Sequence, residues 1–249
     1  MTERGCRLAR MAKALAWLLE LLQLVPTSHP EKIGARRGKV YRGVRLQHAA
    51  ISRHLLDQPG KVLRVTTDDQ GPLVVLLHGF AGRPEDLEPF ARSIGVRGRF
   101  VFPEGFADLS SFQLPGRGWW PSDGVGRAAA ISSGMARDLS DYEPKGLERA
   151  HTSLGILLDE LCLETRGAPL ILGGFSQGAM LAFDIALRSD RPVAALVQLS
   201  GGRIARRLWQ PRLATRAGTR AFISHGRLDA DLAFSAAEDF AGELGSAGW

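Results

Sequence analysis

Apolar residues in this chain gather into short strand-like runs separated by longer helical stretches, and the two kinds of segment alternate. Runs at 62–66, 73–77, 99–103, 169–174, 193–199 and 220–224 have the length and the aliphatic content of strands. Stretches at 84–94, 146–164, 177–188 and 233–244 are longer and read as helices. A run apolar along its whole length, such as Leu73-Val74-Val75-Leu76-Leu77, is expected to be covered on both sides. Alternation of this kind predicts an α/β fold, a mainly parallel sheet with helices on both faces. Ligands in such sheets bind beyond the carboxyl ends of the strands, so the residues that follow each run are the place to look for chemistry.

Composition adds one boundary. The chain of 249 residues, 45% apolar, is long enough for one substantial core. Its net charge of +6 is unevenly placed: residues 1–61 carry twelve Lys and Arg against four Asp and Glu, so residues 62–249 sum to −2. Residues 1–60 therefore read as a basic N-terminal extension, and 61–249 as the folded domain. A basic flank of this kind can make peripheral contact with an anionic membrane. Arginine outnumbers lysine 27 to 5 across the chain, however, and such a bias explains the charge equally well. No zinc spacing, phosphate loop or nucleic-acid motif is present, and no nucleic-acid partner is expected.

Within the extension, residues 14–25 form an apolar stretch behind Arg4, Arg7, Arg10 and Lys13, read as a short docked or peripheral helix. A secretion signal is the alternative. Glu20 and Gln23 interrupt the stretch, no small-residue cleavage site follows, and it is too short to span a bilayer, so a cytoplasmic location is expected. The two cysteines, Cys6 and Cys162, suggest no disulfide framework, and Cys162 is expected to pack among helical leucines.

Three strand ends carry candidate chemistry. Gly174-Phe175-Ser176-Gln177-Gly178 follows Leu170-Ile171-Leu172 and precedes a helical stretch, the strand, turn and helix order of a nucleophile elbow. Gly174 and Gly178 let the chain turn sharply while Ser176 presents its hydroxyl at the tip. His78-Gly79-Phe80 follows the strand at 73–77 and resembles an oxyanion loop, whose backbone donors would be Phe80 and Gln177, with His78 bracing the loop. His225-Gly226-Arg227-Leu228-Asp229 follows the strand at 220–224, and a carboxylate there orients the base of a Ser, Asp, His series. Asp229 is the first choice and Asp231 the substitute. No metal site is expected.

Together with Leu199-Ser200-Gly201 and the continuation Ala179-Met180 of the elbow, these motifs resemble the phospholipase/carboxylesterase family of α/β-hydrolases, which includes the acyl-protein thioesterases. The resemblance covers about residues 60 to 249. It implies cofactor-free hydrolysis of a small-molecule carboxylic ester or thioester, with Ser176 as nucleophile, Asp229 as triad acid, and Phe80 and Gln177 as oxyanion donors. Gly118-Trp119-Trp120 falls where members carry a tryptophan and aromatic pair. Trp119 and Trp120, in a Gly- and Pro-rich segment at 104–126, are candidates for a substrate wall or for a local core. No charged anchor for a substrate is identifiable.

The chain departs from the family after Asp229, where Leu232-Ala233 stands in place of Val-Pro, and in its first sixty or so residues, which match no pattern. Members also place a histidine some thirty residues beyond the acid, whereas Trp249 lies twenty beyond Asp229. Residues 245–248 then read as a loop entering a further strand, and that strand, the histidine loop and a closing helix are expected to be missing. His225 follows Ser176 but is expected to be structural, and His151 to be a surface or packing residue. Hydrolysis by this chain is therefore expected to be weak or absent. The alternatives are a non-catalytic binding protein and another α/β-hydrolase such as a polyester depolymerase or peptidase.

Overall fold

A computed structural model describes residues 61–93, 96–122 and 124–249. The basic extension and its apolar helix lie outside the described residues. Six strands form one sheet in the order β1, β3, β2, β6, β7, β8: β1 Val62–Thr66, β2 Leu73–Leu77, β3 Arg99–Pro103, β6 Leu170–Phe175, β7 Ala195–Leu199 and β8 Arg220–Ser224. Only the β1 and β3 pairing is antiparallel. A two-residue ladder joins β4 Ala107–Asp108 to β5 Arg117–Gly118 outside this sheet. The helices are α1 Glu88–Ser93, α2 Gly124–Ser133, α3 Leu147–Glu164, α4 Gln177–Arg188, α5 Arg206–Trp209 and α6 Phe234–Ser246.

The all-apolar runs become the middle of the sheet. Every residue of β2 is buried, and alternate side chains serve different cores: Leu73, Val75 and Leu77 join the core beneath α3, α4 and α6, while Val74 and Leu76 join Phe100, Phe102 and Ile171 on the other face. Leu87 and Phe90, from the segment between β2 and β3, cover that second face. The expected helix at 84–94 is divided: Pro84–Asp86 is a 3-10 turn and α1 begins at Glu88. Pro84 fixes the backbone at that start and provides no N–H.

From β2 the chain crosses to β3 on one side, and β6 then pairs with β2 on the other. Loops that leave β2 and β6 thus run in opposite directions, which opens a crevice at their carboxyl ends. The register sets Leu77 opposite Gly174, so the oxyanion-type loop and the elbow emerge side by side.

One expectation at the C-terminal side needs correction. Residues 245 and 246, read as loop, are the last turn of α6. Trp249 then turns back into the core, stacking on Phe183 with ring centroids 5.8 Å apart and donating its indole N–H to the Leu213 carbonyl at 2.8 Å. β8 stands at the edge of the sheet among the described residues.

Candidate active site

Ser176 joins β6 to α4 with φ 52° and ψ −117°, a conformation that L-residues avoid. Two backbone bonds and two glycines hold it there. Its N–H donates to the Leu199 carbonyl at 2.8 Å, and its carbonyl accepts from Met180 N–H at 3.1 Å. A Cβ on Gly178 would lie 2.3 Å from the Leu77 carbonyl oxygen, and one on Gly174 would lie 2.6 Å from it. Both glycines are therefore required for α4 to start against the end of β2. The Ser176 side chain is half-buried, and its hydroxyl has no hydrogen-bond partner among the described residues.

Gln177 contributes at both ends. Its backbone N–H is at the first position of α4, where no helical acceptor exists. Its buried side chain accepts from Trp119 N–H through Oε1 at 2.9 Å and donates from Nε2 to the Trp120 carbonyl at 2.9 Å. This amide staples the segment after β5 to the elbow, a role beyond the backbone donor that the motif suggested. Phe80 N–H also has no backbone acceptor among the described residues.

His78 braces the neighbouring loop. Nδ1 lies 2.7 Å from the Gly79 carbonyl, and Nε2 accepts from Gly105 N–H at 2.9 Å, which fixes the tautomer as Nδ1–H. Burial holds its pKa below 6.5 against the opposing pull of the Gly79 carbonyl. Trp119, expected as a candidate wall, is instead buried behind the loop, where its indole N–H donates to the His78 carbonyl at 2.8 Å. Trp120 does face the cavity.

That cavity, of about 340 Å³, brings together Ser176, Gln177, Phe80 and Trp120 with Tyr142, Met180 and Ile204. Asp231 is on its wall and Asp229 is not. Asp229 Oδ1 caps the turn after β8 by accepting from the N–H groups of Asp231 and Leu232, at 2.9 and 3.0 Å. Its Oδ2 lies 3.6 Å from His225 Nε2. His225 is committed to structure, with Nδ1 3.0 Å from the Gly201 carbonyl and Nε2 3.1 Å from that of Leu232. No histidine lines the cavity among the described residues. His151 is more than a surface residue: its Nδ1 lies 2.7 Å from Oδ2 of the fully buried Asp184.

Two arginines on the wall went unseen in the sequence. Arg127, on α2, donates from Nε to Asp231 Oδ2 at 2.9 Å, and Arg137 donates from Nε to Asp231 Oδ1 at 3.1 Å and from Nη2 to the same oxygen. Arg137 also pairs by backbone with this loop, its N–H donating to the Asp231 carbonyl and its carbonyl accepting from Ala233 N–H. Asp138, a further wall residue, has its pKa lowered: burial opposes ionisation, but bonds from Ser140 and the charges of Arg206 and Arg203 outweigh it. Among the described residues there is no group of three or more His, Cys, Asp or Glu side chains placed to hold a metal ion.

The model of the phospholipase/carboxylesterase family matches residues 61–246. Among solved structures, the chain is similar to esterase PE8, with 26% identity, a TM-score of 0.56, and coverage of 77% of this chain and 85% of that one. Acyl-protein thioesterase 2 of Zea mays is 21% identical with a TM-score of 0.59, over 76% of this chain and 85% of that one. The carboxylesterase of Bacillus cereus is 20% identical with a TM-score of 0.55, over 76% and 80% respectively. The last two likenesses speak for the fold. No curated protein matches the chain.

Proposed function

Because the chain belongs to the phospholipase/carboxylesterase family of α/β-hydrolases, we propose that it cleaves small carboxylic esters or thioesters through an acyl intermediate on Ser176. The observation that carries this reading is the strained Ser176, with an unbonded hydroxyl, in one cavity with Phe80 and Gln177. In the proposed reaction Ser176 Oγ attacks the carbonyl carbon, and the oxygen that gains charge accepts from the N–H groups of Phe80 and Gln177. Collapse expels the alcohol or thiol and leaves the acyl group on Ser176, from which water removes it as the acid.

The serine proton needs an acceptor. Asp229 holds the motif position of the acid that orients such a base, and the imidazole nearest to it, His225, is bonded elsewhere and off the cavity wall. Turnover by these residues alone is therefore slow: loss of the base from a serine triad costs up to about 10⁶ in kcat, while binding and the oxyanion donors keep roughly 10³ to 10⁴ over water. Hydrolysis of p-nitrophenyl butyrate by the full chain should be slow, should rise with added imidazole beyond the reaction of imidazole in buffer, and should lose that rise in Ser176→Ala. A folded protein with no Ser176-dependent rise would favour the second reading, a binding protein, which the lack of an imidazole on the cavity wall among the described residues supports.

A further inference from the structure

A cavity that held only an aliphatic acyl chain would gain nothing from two guanidinium groups, which are costly to withdraw from water unless bonded. Arg127 and Arg137 both line the Ser176 cavity, with side chains 43% and 18% exposed. Their common bond to Asp231 ties α2 and the segment after it to the loop that follows β8, but it uses only part of their capacity. Asp231 takes Nε of Arg127 and Nε and Nη2 of Arg137. Both terminal nitrogens of Arg127 and Nη1 of Arg137 have no partner among the described residues.

Asp231 brings one negative charge to the two positive ones. Asp138, the other acid on the wall, is bonded by Ser140 N–H at 2.8 Å and lies in the field of Arg203 and Arg206. An arginine fork with free terminal N–H groups is shaped for a second oxyacid group. We infer that Arg127 and Arg137 form an anion-recognition pair in the Ser176 cavity, which selects an ester or thioester carrying a second, free oxyacid group over its neutral counterpart. This rests on the proposed function for the identity of the reacting bond, but the anion site itself can be read by binding alone.

The test uses the full chain as Ser176→Ala, so that nothing turns over, with tryptophan fluorescence and calorimetry as readouts. Monomethyl glutarate, dimethyl glutarate and inorganic phosphate are the probes. The monoester should bind at least about tenfold more tightly than the diester, the scale of one hydrogen bond to a charged group. Arg127→Gln should remove most of that preference, Arg127→Lys should restore part of it, and circular dichroism should show all of them folded, since Arg137 still holds Asp231. Tighter binding of phosphate than of the monoester would support the pair and identify phosphate as its oxyacid. Equal binding of monoester and diester, or a preference that survives Arg127→Gln, would overturn it. Labelling of wild-type Ser176 by a fluorophosphonate in the presence of imidazole separates the two readings: labelling without anion preference removes the pair alone, and anion preference without labelling removes the hydrolase reading alone.

Discussion

Ser176 owes its exposure to what is absent around it. The side chain reaches the cavity only because residues 174 and 178 bring no Cβ to the end of β2, and the helix that begins at Gln177 can sit against the Leu77 and His78 carbonyls. Gly178→Ala would force a carbon to 2.3 Å and 2.5 Å from those two oxygens, both backbone atoms with little room to yield. Its expected cost is about 1–3 kcal/mol, as for other overpacking, read as a lower urea midpoint, with weaker labelling of the folded fraction. His78 makes a prediction about pH. Its folded pKa is depressed, so below the ordinary value of 6.5 the unfolded chain takes up a proton that the folded one refuses. Stability from this residue is complete above about pH 6.5 and declines as pH falls toward the folded pKa, with a slope of up to about 1.4 kcal/mol per pH unit. Urea titrations between pH 8 and 5 should show a shallower slope for His78→Gln than for the parent, and equal slopes would contradict this account of the brace.

At the level of elements, the helix that carries the serine is anchored at its far end by a buried polar cluster. Asp184, fully buried on α4, accepts from Trp209 Nε1 of α5 at 2.9 Å, from Arg188 Nη1 and from His151 of α3. Asp184→Ala would leave His151 and Trp209 Nε1 without their acceptor in a poorly solvated place and Arg188 with Glu148 alone, at a cost of about 3 kcal/mol, seen as a large fall in the unfolding midpoint. The legibility of the elements follows how much of each is buried. β2, β6 and α4 are apolar enough to be read from pattern alone, and Ser176, Phe80 and Gln177 are found with them because they ride on strand ends. α2 was invisible because Ala130 is its only buried residue, so its sequence has no apolar period to display. Arg127 and Arg137 were hidden with it, since neither belongs to a motif and only the fold brings them to the wall with Asp231. The preference for Asp229 over Asp231 as an acid came from motif spacing, while the placement of Asp231 on the cavity depends on the turn that Asp229 itself caps.

For the molecule as a whole, the order of strands decides where chemistry can occur. β2 and β6 are neighbours whose following loops diverge, and the crevice between those loops holds the Ser176 hydroxyl and the N–H groups of Phe80 and Gln177, none of them hydrogen-bonded among the described residues. No helix among the described residues is long and apolar enough to cross a membrane. The cavity wall sets Arg127 and Arg137 against Asp138 and Asp231, a formal balance of zero within residues 62–249, which sum to −2. Acylation at Ser176 is the claim on which the hydrolase reading depends. Intact mass measurement after incubation with p-nitrophenyl acetate tests it most directly, because no histidine among the described residues lines the cavity to speed hydrolysis of the acyl group, which should therefore accumulate. The expected result is one acetyl group per chain, mapped to the peptide containing Ser176 and absent from Ser176→Ala. A folded protein that gains no acetyl group, or gains it elsewhere and equally in Ser176→Ala, would contradict the account.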